Sequence, residues 1–136
     1  MRRRSGLQTV RRVAELREAG ARNAVAAATQ ARADAEQAAV ERLAQLEANM
    51  LPGGSTGALI AAAEVRSRLA VASTQATREV AEKEVHRREA VGAWSAASRR
   101  TSVLTEAVDR QRAELEAVRH TGVQRMLDDL AARRRP

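Results

Sequence analysis

Helix-breaking residues occur together at one place inside this chain, and their position constrains the fold more than any other feature. The cluster runs from Pro52 to Gly57, and apart from the last residue, Pro136, the stretches on either side of it hold only isolated glycines. Proline and clustered glycine are poorly tolerated inside helices, so a helix ends or starts where they occur. The pattern predicts one helix at about 6–50 and a second at about 58–133, joined by a turn over 51–57.

The side chains available for a core are small. The chain has one Trp and no Phe or Tyr, and much of its 44% hydrophobic content is alanine. Alanine is the strongest helix former and lets two helices approach closely, and the 30% charged content suits a solvated helix surface. We therefore predict an all-α protein in which residues 1–136 form a single antiparallel coiled-coil hairpin. Ser55 and Thr56 are candidate N-caps of its second helix.

Apolar residues recur at helical spacing on both sides of the turn, and they predict the faces that pack together. In the first helix the predicted stripe is Val13, Leu16, Gly20, Ala24, Ala27, Ala31, Ala35, Ala38, Leu43, Leu46 and Met50. In the second helix the two heptad core positions hold Leu59, Val80, Trp94, Thr101, Val108 and Leu115, and Ala62, Leu69, Ala76, Ala90, Ala97, Leu104 and Val118. Four polar residues fall on the same seam, namely Arg66, Lys83, Arg87 and Gln111.

A tight reversal at the turn would pair residues whose numbers sum to about 108. This register places Leu46 near Ala62 and Ala39 near Leu69. It also places Trp94 against Val13 and near Leu16, which makes these three residues the predicted packing anchor at the open end of the hairpin. Loss of the Trp94 side chain would then cost about 3 to 5 kcal/mol.

The two predicted helices differ in length, so about 30 residues of the second would extend about 45 Å beyond the first. The apolar residues of this segment are Leu104, Val108, Leu115, Val118, Met126, Leu127 and Leu130. An apolar seam without a partner in its own chain indicates a partner outside it. Fraying of the segment, or self-association through it, are the alternatives.

No arrangement of side chains in the sequence favours catalysis, a metal or a cofactor. His86 and His120 lack a second ligand at metal-binding spacing, and the adjacent Asp128 and Asp129 point about 100° apart on a helix. The glycine-rich turn lacks the Gly-Lys-Ser/Thr ending of a phosphate-binding loop. We expect a protein that binds other proteins and is not an enzyme.

Charge leaves the nature of the partner open. The net charge is +7, which fits an acidic protein surface, lipid headgroups or nucleic acid equally well. Nucleic-acid binding is a further alternative, although acidic residues alternate with the basic ones and no aromatic platform is present. The absence of cysteine and of an apolar signal or membrane-spanning stretch predicts a soluble, cytoplasmic protein.

Two motifs of the C-terminal half stand out, namely the stretch Ala90-Val91-Gly92-Ala93-Trp94 with the heptads after it, and Met126-Leu127-Asp128-Asp129-Leu130 followed by a basic end. In these motifs the chain resembles the FliJ family of flagellar export proteins. The start, Leu7-Gln8-Thr9-Val10 with Val13, is similar to the family as well. Members of this family are short hairpin coiled coils with a tryptophan in mid-helix.

The resemblance implies a non-enzymatic component of the flagellar type III export apparatus, cytoplasmic and peripheral at the inner membrane. Its partners would be a hexameric export ATPase, in whose ring it acts as a stalk, an export-gate membrane protein, and export chaperones that it escorts. The implied ATPase contacts are Leu104, Val108, Leu115, Val118, Leu127, Asp128, Leu130 and Arg133. The implied gate-binding face is Val65, Leu69, Ala72 and Ala76, for which core packing is the alternative. The family's apolar and aromatic positions near the end of the first helix are Ala38, Arg42, Gln45 and Asn49 here, which departs from its pattern.

Overall fold

Two long helices account for almost all of the chain. A computed structural model describes residues 6–49 and 53–134, and its elements are α1 (Gly6–Ala48, 43 residues) and α2 (Thr56–Arg133, 78 residues). The described residues contain no strand. The all-α prediction and the single helix break are therefore confirmed, and each helix boundary lies within two residues of its predicted position.

Side chains form hydrogen bonds with backbone groups at the two helix ends that the turn connects. The amide of Ala58 donates to the Ser55 hydroxyl at 3.4 Å, so Ser55 caps α2 and Thr56 is the first helical residue. At the other end of the turn, Arg66 Nη1 donates to the carbonyl oxygen of Asn49 at 3.0 Å. The last turn of α1 contains no basic residue of its own. Arg66 therefore supplies, from α2, the cation that a helix C-terminus favours.

The residues of α1 that are withdrawn from solvent follow a heptad pattern, with steps of four and three residues. The series is Leu7, Arg11, Ala14, Glu18, Ala21, Val25, Ala28, Arg32, Ala35 and Ala39. It contains three charged residues, whose long stems cover apolar surface while their charged groups reach solvent or a partner. A seam of alanines and charged stems explains how two helices pack with so few bulky side chains.

The predicted stripe on α1 is therefore wrong throughout its N-terminal part and at Leu43. Val13, Leu16, Gly20, Ala24, Ala27 and Leu43 are exposed, whereas Ala31, Ala35, Ala38 and Leu46 lie on or beside the true seam. Met50 lies outside the described residues. The error has a simple cause, because the prediction placed the largest apolar residues inward and excluded positions held by charged residues.

The predicted heptad pattern of α2 is confirmed through its middle. Ala76 and Val108 are buried, and the other predicted non-charged positions from Ala62 to Leu104 are half-buried. Of the four polar residues assigned to the same seam, Arg87 and Gln111 are half-buried, whereas Arg66 and Lys83 are exposed. Leu59, Leu115 and Val118 follow the same pattern but are exposed. The pattern therefore continues towards both ends of α2, beyond the part that α1 covers.

The pairing of the helices differs from the predicted register by about one heptad. The chain packs as two compact units. One consists of Ala19–Ser95, and the other consists of the N-terminal segment up to Glu18 together with residues 96–136. Within Ala19–Ser95, Arg66 contacts Asn49 and Arg32 contacts Glu84, so the paired residue numbers sum to 115 and 116. A shift of seven residues keeps every seam position on the seam, because the heptad repeats every seven residues. The heptad prediction for α2 therefore holds. The predicted pairings of Leu46 with Ala62 and of Ala39 with Leu69 are wrong.

Candidate partner-binding surfaces

The C-terminal arm, defined here as residues 112–133 of α2, is exposed at every position. At 1.5 Å per residue it is about 33 Å long. The exposed apolar residues on it are Leu115, Val118, Val123, Met126, Leu127 and Leu130. Leu115, Val118 and Met126 share one face of the helix, since they follow steps of three and four residues through Gly122.

Two residues assigned from sequence to the unpaired segment do not belong to it. Val108 is only 7% exposed and Leu104 is half-buried, so both pack within the paired part of α2. The arm is therefore shorter than predicted, by about eight residues. Leu115, Val118, Leu127, Asp128, Leu130 and Arg133 remain on it.

The arm is stabilised locally by polar contacts along the helix. Gln124 Nε2 donates to Asp128 Oδ1 at 3.3 Å, and the Thr121 hydroxyl donates to the Ala117 carbonyl at 2.9 Å. Arg133 lies in the last turn, where a cation interacts favourably with the helix dipole. These contacts support a helix but bury no apolar surface.

The face implied for gate binding is divided between core and surface. Ala76 is buried, Leu69 and Ala72 are half-buried, and Val65 is exposed. A partner would have to separate the helices to contact Ala76. The core-packing alternative therefore accounts for Ala76, and among the four only Val65 is freely accessible.

The predicted anchor of the open end is wrong for two of its three residues. Leu16 is 67% exposed and Val13 is 43% exposed, so neither fills a core position. Trp94 is half-buried, and its Nε1 is buried without a hydrogen-bond acceptor among the described residues. Because Trp94 is only partly withdrawn from water, its replacement by alanine should cost less than the 3 to 5 kcal/mol estimated for a fully buried aromatic residue.

A charged cluster connects the two helices within Ala19–Ser95. The i,i+4 spacing of Glu84 and Arg88 indicates one of its pairs in the sequence, but the contact of Arg32 with Glu84 between the helices was not predicted. Glu84 accepts two hydrogen bonds from Arg87, both at 2.9 Å, and one from Arg88 at 3.0 Å. From α1, Arg32 Nε lies 2.9 Å from Glu84 Oε2, and the same arginine pairs with Glu36 at 2.8 Å. We call Arg32, Glu36, Glu84, Arg87 and Arg88 the Glu84 cluster.

The cluster perturbs the acid at its centre. The hydrogen bonds from Arg87 are the largest cause of a lowered pKa for Glu84, from 4.5 to about 2, followed by the bond from Arg88 and the charges of Arg87 and Arg32. Partial removal from water opposes the shift. In return, Glu84 raises the pKa of Arg87. Glu84 therefore stays ionised at any physiological pH and holds a permanent charge on the seam.

An apolar groove lies between the N-terminal part of α1 and α2, entirely within the unit that contains both segments. Its volume is about 510 Å³. It is lined by Val10, Val13, Ala14, Arg17, Ala97, Arg99, Arg100, Val103 and Leu104. We call it the valine groove. The sequence shows only its α1 side, where residues 10, 13, 14 and 17 follow the spacing of one helix face, and does not show which residues of α2 lie opposite.

Comparison of this chain with protein-family models, with curated proteins and with solved structures finds no match. The fold places the chain in the class of all-α proteins built from two long helices. Evidence for its function therefore comes from its surfaces.

Two further tests concern the described part of the chain alone. Neither α1 nor α2 holds a stretch apolar and long enough to cross a membrane. Residues 6–49 and 53–134 contain no group of three or more His, Asp or Glu side chains arranged to hold a metal ion.

Proposed function

We propose that this protein is a non-enzymatic, stalk-like subunit that binds a hexameric export ATPase through its C-terminal arm, within a flagellar type III export apparatus. In this role it connects the ATPase to the export gate and escorts export chaperones. The observation that carries the proposal is the exposure of the whole arm together with its apolar face. An apolar coiled-coil face that no helix of the same chain covers is typical of a surface that binds another protein.

The choice of partner rests on the resemblance to the FliJ family. The tryptophan at position 94 and the Leu127-Asp128-Asp129-Leu130 sequence carry most of that resemblance. Leu127 and Leu130 are both exposed, as residues that contact a partner must be. The arm is a single helix about 33 Å long, which offers about six helical turns for contact with a partner.

The experiment uses substitutions that leave the paired part of the helices untouched. Val118→Asp and Leu127→Asp change residues that are exposed, so the fold should tolerate them. Purified full-length protein and each variant would be titrated into the flagellar export ATPase of the same organism, and ATP hydrolysis would be measured. We expect stimulation by the full-length protein and a loss of at least about tenfold in apparent affinity for the variants.

Val40→Asp is the matched control, because Val40 is similarly exposed but belongs to α1 and not to residues 112–133. It should stimulate the ATPase as the unmodified protein does. Equal stimulation by Val118→Asp, Leu127→Asp and Val40→Asp would show that the arm is not the contact.

Self-association through the arm is the competing function, since the same exposed apolar face would serve it. Light scattering at micromolar concentration distinguishes the two. A monomer supports the ATPase proposal, whereas a dimer that Val118→Asp dissociates would favour a self-associating scaffold.

A further inference from the structure

The valine groove is a second apolar surface, separate from the C-terminal arm. Its floor is formed by valines and alanines of α1 and by the apolar residues of α2 that face them. Val10, Val13 and Val103 are exposed, at 51%, 43% and 64%. Burying apolar side chains of this type in a complex is favourable, because it removes their surface from water.

The cations of the groove determine which occupant it favours. Arg17, Arg99 and Arg100 belong to its lining, which includes no acidic residue. None of the three makes an ion pair or side-chain hydrogen bond within the described residues, in contrast to the arginines of the Glu84 cluster. A groove with an apolar floor and three uncompensated cations is complementary to a surface that is apolar at its centre and acidic at its edges.

The shape of the groove favours a helix over an extended strand. The contributing residues of α1, at 10, 13, 14 and 17, cover about two helical turns, or about 10 Å. Both walls are helices whose backbone groups bond within the helix, so an extended peptide would find no backbone partners there. A helix satisfies its own backbone and presents apolar residues at steps of three and four. Ala14 and Ala97 leave room for its close approach.

We propose that the valine groove binds an acidic amphipathic helix of a partner protein. Its apolar face would cover Val10, Val13 and Val103, and its flanking carboxylates would pair with Arg17, Arg99 and Arg100. The chain's own C-terminal arm is a poorer occupant, because residues 112–133 carry four arginines against four acidic residues.

The test uses the full-length protein and synthetic helices of about 18 residues, long enough to form helix in solution. One probe carries leucines at steps of three and four with glutamate flanks, and the second keeps the leucines but has lysine flanks. Binding would be followed by fluorescence anisotropy of the labelled probes. We expect the glutamate probe to bind at least about tenfold more tightly than the lysine probe.

Variants of the chain assign the binding to the groove. Arg99→Glu with Arg100→Glu should reverse the preference between the two probes, because it reverses the charge of one wall. Val103→Asp should weaken the glutamate probe at least about tenfold by placing a charge on the floor. Arg12→Glu with Arg68→Glu is the matched control for the double variant, since both are exposed arginines outside the groove lining and the pair carries the same change of charge.

Equal affinity for the two probes would overturn the proposal, as would an unchanged preference in the Arg99→Glu, Arg100→Glu variant. Circular dichroism of each variant shows whether it is folded, and a reversed preference cannot arise from unfolding. Dimers that Val103→Asp dissociates, without binding of either probe, would instead identify the groove as an interface between two copies. The ATPase experiment depends on residues 112–133, so its outcome is independent of this one.

Discussion

At the scale of single residues, alanines and charged side chains hold many positions of the seam. The buried residues among those described are Ala35, Ala76 and Val108, and none of the described side chains is fully buried. Burial of so little apolar area per residue contributes modestly to stability. Close approach of the helix backbones at the alanines and the contact of Arg32 with Glu84 help to fix how the two helices pair.

Enlarging a buried alanine should separate the helices. Ala76→Leu introduces three carbon atoms where no space exists, and we expect it to lower the free energy of unfolding by about 1 to 3 kcal/mol. Ala81→Leu, at an exposed position of the same helix, should change it by less than about 0.5 kcal/mol. Urea unfolding followed by circular dichroism measures both values. Equal effects would mean that Ala76 does not lie in a packed interface.

The Glu84 cluster should make stability depend on pH in a defined window. Folding lowers the pKa of Glu84 from 4.5 to about 2, so its contribution is complete above about pH 5 and is lost as the pH falls from there to 2. Glu84→Gln should therefore melt below the unmodified protein at pH 7, and the difference should shrink towards pH 2. Glu89→Gln, at a carboxylate whose side chain is 69% exposed, is the control. A difference that stays constant from pH 7 to pH 2 would contradict the role of the charge.

At the scale of the elements, the two helices are stabilised differently along their length. α1 has a neighbour throughout the heptad series from Leu7 to Ala39, whereas α2 has exposed apolar residues near both ends. The start of α2 compensates with a capping serine and with Arg66, which joins it to the end of α1. The C-terminal arm has only contacts within the helix.

The cap at Ser55 should contribute measurably to the start of α2. Ser55→Ala removes the oxygen that accepts from the Ala58 amide, and we expect a loss of about 0.5 to 2 kcal/mol. Ser67→Ala, an exposed position inside the same helix, should instead be neutral or slightly stabilising because alanine is the better helix former. Chemical denaturation of the two variants gives the comparison. A loss at position 67 as large as at position 55 would exclude capping as the cause.

Uncovered helix opens more readily than paired helix, because a single helix in water is only marginally stable. Backbone amides of residues 112–133 should therefore exchange with deuterium faster than those of residues 90–108. Hydrogen exchange read out by mass spectrometry tests this in the protein alone. Addition of a partner that binds the arm should slow exchange there, and equal protection of both segments in the isolated protein would indicate that a second copy already covers the arm.

At the scale of the whole molecule, a large surface remains in contact with water. The chain exposes 11013 Å², where a compact protein of its mass would expose about 6,900 Å² and its unfolded chain about 21,000 Å². Unfolding thus exposes about 0.7 times the area expected for a compact protein of this length. Because the denaturant m value scales with that area, we expect it to be reduced by about the same factor. A urea titration with an m value typical of a globular protein of equal length would mean that the protein associates.

Pattern and spacing in the sequence were sufficient for the fold class, for the position of the single break and for the heptad of α2. The register was not predictable, because a heptad pattern looks the same after a shift of seven residues and only contacts such as Arg32 with Glu84 decide between the alternatives. The inward face of α1 was missed because Arg11, Glu18 and Arg32 occupy seam positions. For the surfaces, the sequence indicated the arm, whereas the valine groove depends on residues far apart in sequence.

The steps of four and three along α1 also limit how related chains can differ in length. Deleting one residue from a helix turns everything beyond it by about 100°, which would carry the alanines of the seam out to solvent. Removing seven residues keeps the seam residues on the face that packs against the other helix. The other helix must then lose seven residues as well, so that the charged partners remain opposite each other. Insertions and deletions in such relatives should therefore come in matched sevens, or be confined to the turn and to the arm, where no opposite helix has to follow.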